Sequence, residues 1–178
     1  MKNILLLSGS LRAESVNTKL LKAFAAEIHP DVTVTWGSLE MPLFNEDIEA
    51  EAFPEEAQEL KDAIAAADGI IVATPEYNRA VPGALKNAID WTSRPYGQNS
   101  WSEKRVLVTS ASPGGISGAV AHYQLVTILM HMGAIPQTGV EFMLGHAFEK
   151  FDDVGELVDE KTKEHIRGAL QKFSVPLS

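Results

Sequence analysis

Within ten residues near its start the chain sets out Ser8-Gly9-Ser10-Leu11-Arg12-Ala13-Glu14-Ser15-Val16-Asn17, a run of hydroxyls with one guanidinium and one amide. These groups share a chemistry: they donate hydrogen bonds to an anion. Ser10 and Ser15 offer O–H donors, Arg12 a charged fork, and Asn17 an amide that can donate or cap a helix. Apolar Ile4-Leu5-Leu6-Leu7 precedes the run, and Leu20, Leu21, Phe24, Ala25 and Ile28 follow it at helical spacing. The pattern predicts a buried strand, a loop and a helix. A helix start leaves its first amides unpaired and carries the positive end of the helix dipole, so Val16 and its neighbours would complete a phosphate seat. The plainer alternative is a strand-to-helix turn with serine caps.

The type of phosphate ligand is narrowed by elimination. Neither Gly-x-Gly-x-x-Gly nor Gly-x-x-x-x-Gly-Lys-Ser/Thr occurs, and a phosphatase loop built on cysteine is excluded because the chain has no cysteine. What fits is a loop that grips the terminal phosphate of a mononucleotide cofactor.

Two more polar clusters follow apolar runs of strand length. Gly69-Ile70-Ile71-Val72-Ala73-Thr74-Pro75 leads into Glu76-Tyr77-Asn78-Arg79, and Arg105-Val106-Leu107-Val108-Thr109-Ser110 leads into Ala111-Ser112-Pro113-Gly114-Gly115-Ile116-Ser117-Gly118. Polar residues at the carboxyl ends of buried strands sit where open α/β sheets place ligands. Small residues in the second loop let a flat ligand approach the backbone.

The elements that must position these loops alternate along the chain. Val32 to Trp36 reads as a short strand, Ser38 to Pro54 as a loop with an apolar patch at Met41-Pro42-Leu43-Phe44, and Glu55 to Ala67 as a helix. Pro82 and Gly83 open a helix to about Trp91, another helix runs to about Met132, a fifth strand is expected around Ile135 to Phe142, and Ile166, Leu170 and Phe173 mark a final helix. Trp101 and Tyr96, in the connection 92–104, suit either a lid or partner contact or local packing. The expected fold is α/β, a doubly wound five-stranded parallel sheet of flavodoxin-like type with strand order 2-1-3-4-5, formed by residues 1–178 as a single domain. In that order the loops after strands 1, 3 and 4 are neighbours, and one ligand could touch all three.

With 178 residues, 45% of them hydrophobic, the chain can bury roughly 68–70% of its extended surface without disulfide or metal. A net charge of −9 argues against nucleic acid as a partner. Its distribution is uneven: residues 1–26 carry four basic residues against Glu14, and residues 40–62 carry nine acids against Lys61, a run read as a solvated face. No apolar run approaches ~18 residues and no leader pattern is present, so the expectation is a cytoplasmic protein without a membrane partner. The five histidines lack metal-ligand spacing, and Ser117 does not complete Gly-x-Ser-x-Gly because position 119 is alanine.

A phosphate joined to something extended and planar, lying across three such loops, points to flavin mononucleotide (FMN). Backbone groups of Pro75 to Asn78 could bond the ring's polar edge with Tyr77 alongside, and Ser112 to Gly115, Gly114 included, could flank the rest. No side-chain acid or base is demanded, because the redox chemistry belongs to the cofactor.

Gly9-Ser10-Leu11-Arg12-x-x-Ser15-x-Asn17, Pro75-Glu76-Tyr77-Asn78 and Pro82-Gly83-x-Leu85-Lys86-Asn87-Ala88-Ile89-Asp90-Trp91 together resemble the NADPH-dependent FMN reductase family, over about residues 1–142. The resemblance implies bound FMN, hydride transfer from NADPH or NADH, and two-electron delivery to a quinone, chromate, azo compound or free flavin. It also implies a homodimer or homotetramer. By resemblance Ser10, Arg12, Ser15 and Asn17 hold the phosphate, and Pro75, Glu76, Tyr77, Asn78 and Ser112 the ring or ribityl chain. The chain departs from the family at Ala80, where many relatives have serine, and at Ser117-Gly118-Ala119-Val120, where many have Gly-Gly-x-Arg. Two alternatives are a flavodoxin-type electron carrier that does not itself oxidise NAD(P)H, and a non-redox protein that binds a phosphate ligand.

Overall fold

The computed structural model describes residues 1–178. Six strands form one parallel sheet: β1 (Asn3–Ser8), β2 (Thr33–Gly37), β3 (Gly69–Thr74), β4 (Arg105–Ala111), β5 (Ile135–Pro136) and β6 (Phe142–Leu144). The order is β2-β1-β3-β4-β5, with β6 also paired to β4. The helices are α1 (Val16–Ala26), α2 (Glu46–Glu51), α3 (Glu55–Ala66), α4 (Gly83–Thr92), α5 (Ala119–His131) and α6 (Glu160–Lys172).

The apolar runs of the central strands divide between two faces by the period of two that a strand imposes. Ile4, Leu6, Ile71, Ala73 and Leu107 join Leu20, Leu21 and Phe24 of α1 and Ile166, Ala169 and Leu170 of α6 in one core. Leu5, Leu7, Ile70, Val72, Val106 and Val108 join α3, α4 and α5 through Leu60, Ile64, Leu85, Ile89, Leu125 and Leu129 in the other. Helices on both faces explain why these strands read as continuous apolar runs, and why the strand ends are the place for polar loops.

Two expectations need correction, and one open alternative is decided. The fifth strand is two short pieces, β5 and β6, because Gln137-Thr138-Gly139 interrupts the apolar run and Gly139 turns with φ +70°. The loop predicted over 38–54 contains α2, a single short helix with no buried residue and hence no apolar stripe to reveal it. It is held by Asn45, whose Oδ1 accepts from the Asp47 N–H, and by acidic residues at the positive end of the dipole. Finally, Trp101 is only 1% exposed and donates from Nε1 to Thr92 Oγ1 at 2.8 Å, so it packs locally, whereas Tyr96 is exposed. The 41–44 patch also folds inward in part: the Pro42 carbonyl accepts from Trp91 Nε1 and Asn87 Nδ2, and the Phe44 ring meets Trp91 edge-on. No helix is long and apolar enough to cross a membrane.

Candidate functional site

The first loop leaves β1 at Gly9, where the backbone passes close under the third. Gly9 N–H donates to the Ala73 carbonyl at 2.8 Å, and a Cβ on Gly9 would lie 3.0 Å from Pro75 Cδ and 3.1 Å from both the Ala73 carbonyl oxygen and Leu85 Cδ2. Glycine suits that close approach, because a Cβ would oblige these neighbours to give by a few tenths of an ångström. Ser10 follows, nearly buried, with its Oγ 3.2 Å from Tyr77 Oη and accepting from the Arg12 N–H. Ser15 caps α1, its Oγ accepting from the Asn17 N–H at 3.2 Å. Arg12 is exposed beside them and makes no salt bridge with a carboxylate of the chain.

Asn17 does something its position alone does not disclose. It is 1% exposed, and its amide is engaged with the backbone of Ala111 at the end of β4: Asn17 Nδ2 donates to the Ala111 carbonyl at 3.0 Å, and Ala111 N–H donates to Asn17 Oδ1 at 2.9 Å. The side chain therefore clamps the first loop to the third, although Asn17 still lines the cleft between them.

After β3, Pro75 is buried and the chain makes a tight hairpin in which Tyr77 and Ala80 exchange backbone hydrogen bonds of 3.1 Å. Asn78 and Arg79 occupy its two central positions with φ of 51° and 63°. Positive φ at both is the mark of a type I′ turn, for which Asn is well suited and Arg is not. Glu76, with its side chain 12% exposed, lines the cleft but has its carboxylate engaged by other donors. Its Oε1 accepts from Arg79 Nη1 at 3.2 Å, and its Oε2 accepts from the Val120 and Ala121 N–H groups at 2.9 and 3.2 Å.

The loop after β4 is tied to β6. Ser112 N–H donates to the Leu144 carbonyl, and Ala147 N–H donates to the Ser112 carbonyl. This connection carries the 147–149 turn against the first loop, so Phe148 becomes part of the site. One cleft, about 100 Å³, is lined by Ser10, Arg12, Ser15, Val16, Asn17, Pro75, Glu76, Tyr77, Ala111, Ser112, Pro113 and Phe148. Of the residues read from the sequence as cofactor contacts, Asn78, at the hairpin tip, and Gly114 and Gly115, exposed on the third loop, stand outside its walls. A larger cavity of about 510 Å³ lies between α5 and residues 134–141 and includes no residue of the three strand-end loops.

The cleft suits a phosphate monoester. It joins a helix N-terminus, two serine hydroxyls and an unpaired guanidinium, and the nearby carboxylate of Glu76 is already committed to other donors. Its volume is enough for a phosphate group and the start of a chain attached to it, leaving anything planar to extend over the rim formed by Tyr77 and the 112–114 backbone. The fold is flavodoxin-like, and its polar strand-end cleft lies at the switch point of the sheet, the place where such folds hold ligands.

The chain belongs to the NADPH-dependent FMN reductase family, which matches residues 2–149. Its class is that of an NAD(P)H-dependent flavin oxidoreductase, with FMN as cofactor. A quinone reductase of Pseudomonas putida is 41% identical over 167 residues, covering 93% of this chain and 89% of that protein. A 2-hydroxy-1,4-benzoquinone reductase of a Burkholderia species is 35% identical, covering 93% of this chain and 91% of its own. Among solved structures, the flavoenzyme NAD(P)H:(acceptor) oxidoreductase FerB of Paracoccus denitrificans superposes with a TM-score of 0.88 at 38% identity, covering 97% of this chain and 95% of that one.

Proposed function

We propose that residues 1–178 act as one unit that holds FMN in the strand-end cleft and passes two electrons from NADPH or NADH to a quinone or a similar small acceptor. In this reading Ser10, Arg12, Ser15 and the amides around Val16 hold the phosphate, while Asn17 keeps the first loop in register with the third. The backbone of Pro75 to Asn78, the face of Tyr77, and Ser112 with Gly114 border the ring. When bound, the flavin accepts a hydride equivalent and delivers the electrons onward. The protein's residues orient it and leave one side open for the two small substrates to visit in turn.

The observation that supports this most is the convergence of three loops, distant in sequence, on one cleft, with Ser10 touching Tyr77 and Asn17 bonded to Ala111. The test is anaerobic addition of NADPH to the FMN-loaded protein. Rapid loss of the flavin's visible band, followed by turnover on a quinone, is expected. A band that fades only when a separate reductase is supplied would make the protein an electron carrier instead.

The assembly proposed is a homodimer or homotetramer working in the cytoplasm, where NAD(P)H is supplied. Support for self-association comes from α5, which buries Ala121, Leu125 and Leu129 on one side and exposes Val120, Tyr123 and Met130 on the other, with exposed Ile135 nearby. Large apolar side chains grouped on one exposed helix face are commonly covered by a partner. Light scattering should give a mass at least twice that of the 19.3 kDa chain.

A further inference from the structure

Helix α5 begins without a cap of its own. Its N-cap residue is Gly118, in the left-handed region at φ 76°, with no side chain to accept from the first turn. The acceptor comes instead from 42 residues back in the chain, as Glu76 Oε2 takes the N–H groups of Val120 and Ala121. These are the second and third residues of the helix, the two amides that an ordinary capping side chain serves. An anionic oxygen there also complements the positive end of the helix dipole.

The same carboxylate is fixed from its other side. Glu76 Oε1 is bonded to Arg79, which sits with φ 63° in the hairpin turn, so the carboxylate joins the 76–79 turn to α5. The exit of the 112–118 loop is held beside it: Ser110 Oγ donates to the Ser117 carbonyl at 2.7 Å, and a Cβ at Gly118 would lie 3.2 Å from Ser110 Cβ. Two of the three loops that border the cleft therefore share one strut, and its centre is Glu76.

We propose that Glu76 is a positioning residue for FMN, acting as the cap of α5 supplied across the fold and thereby fixing the backbone of residues 75–78 relative to the 112–118 loop. The inference rests on the reading of the cleft as the FMN site, but it assigns Glu76 a task that neither catalysis nor direct contact with the cofactor requires. The carboxylate works through the α5 amides.

The test uses full-length apoprotein and two readouts: hydrogen exchange at the Val120 and Ala121 amides, and the FMN dissociation constant from quenching of flavin fluorescence. In Glu76→Ala both amides should exchange at least about tenfold faster, and the dissociation constant should rise about tenfold or more, the loss expected for hydrogen bonds to a charged acceptor. Glu76→Gln keeps an oxygen for the same amides and should hold both readouts within about threefold of the unmodified protein.

Faster exchange in Glu76→Ala with unchanged FMN affinity would overturn the proposal, since the cap would then be purely structural. Equal loss of affinity in Glu76→Gln and Glu76→Ala, with the amides still protected in the former, would also overturn it by making the charge itself the contact. If Glu76→Ala does not fold, Glu76→Asp, one methylene shorter, should show partial loss in both readouts together, and normal FMN affinity with unprotected amides would refute the idea. Unmodified apoprotein that takes up no FMN would sink the reading of the cleft, whereas unaltered affinity in the Glu76 variants would sink only the strut.

Discussion

Replacing Asn17 by alanine should loosen the site and the fold together. The substitution removes two buried hydrogen bonds and leaves the N–H and carbonyl of Ala111 without partners at the end of a central strand. Each orphaned buried group costs about 1–3 kcal/mol. The two share one side chain and some water will enter, so about 3 kcal/mol is the expected total. For a chain of this length that lowers Tm by roughly 6–12 °C at ~2–4 °C per kcal/mol. The assay is urea unfolding of the apoprotein, read as a fall in midpoint at constant slope. Asn17→Asp sharpens the test. It keeps the acceptor for the Ala111 N–H but sets an anionic oxygen against the Ala111 carbonyl, so at neutral pH it should be at least as damaging as alanine. Relative to the alanine variant it should recover on mild acidification, because protonation restores the donor. Unfolding of Asn17→Ala within about 0.5 kcal/mol of the unmodified protein, the range of an inconsequential surface change, would refute the clamp.

Arg12→Ala should weaken FMN binding by about 10- to 100-fold, the loss of a charge-assisted bond, while moving apoprotein stability by less than about 0.5 kcal/mol; a titration at two salt concentrations and a melt check both halves. Gly9→Ala should destabilise by about 1–3 kcal/mol and weaken FMN binding, since the new methyl must displace Pro75, Leu85 or the Ala73 carbonyl; a denaturation midpoint and a fluorescence titration decide it. Burial holds the imidazole pKa of His122 below its ordinary value, and burial and then Lys172 do the same for His165, which stacks on Phe142. Both groups bind a proton more readily in the unfolded chain, so the stability they contribute is present above the usual histidine pKa of about 6.5 and is lost as pH falls from there through their folded values. Urea midpoints at pH 7.5 and 5.5 should differ less in His165→Phe than in the unmodified protein.

The sheet was legible wherever a strand is covered on both faces. Ile4 to Leu7, Ile70 to Ala73 and Val106 to Val108 are apolar because helices lie on either side, and the loops that follow them stand out by contrast. The edge was less legible, because five residues of strand shared between two pieces are too few to show a period and Pro136 lies within the first. Helix α2 carries no buried residue, so its only signals are the cap at Asn45 and the acidic first turn. Within the site, residue types identified most of the cleft wall but could not say where each side chain's hydrogen bonds go. Asn17 looked like an anion donor, yet its amide is satisfied by a backbone 94 positions away. Phe148 had no local signal. It reaches the cleft because β6 pairs with β4 and His146 turns the chain at φ 50°.

The division of the outermost strand has a consequence for how the protein behaves at high concentration. A long straight border would offer a ladder of free amides and carbonyls on which further chains could stack. Here β4 is flanked by a two-residue stretch, a step at Gln137 to Glu141, and then a three-residue stretch. A strand arriving from outside finds no uninterrupted template, so runaway sheet growth from this margin is blocked by geometry while the core strands keep their uniformly apolar character.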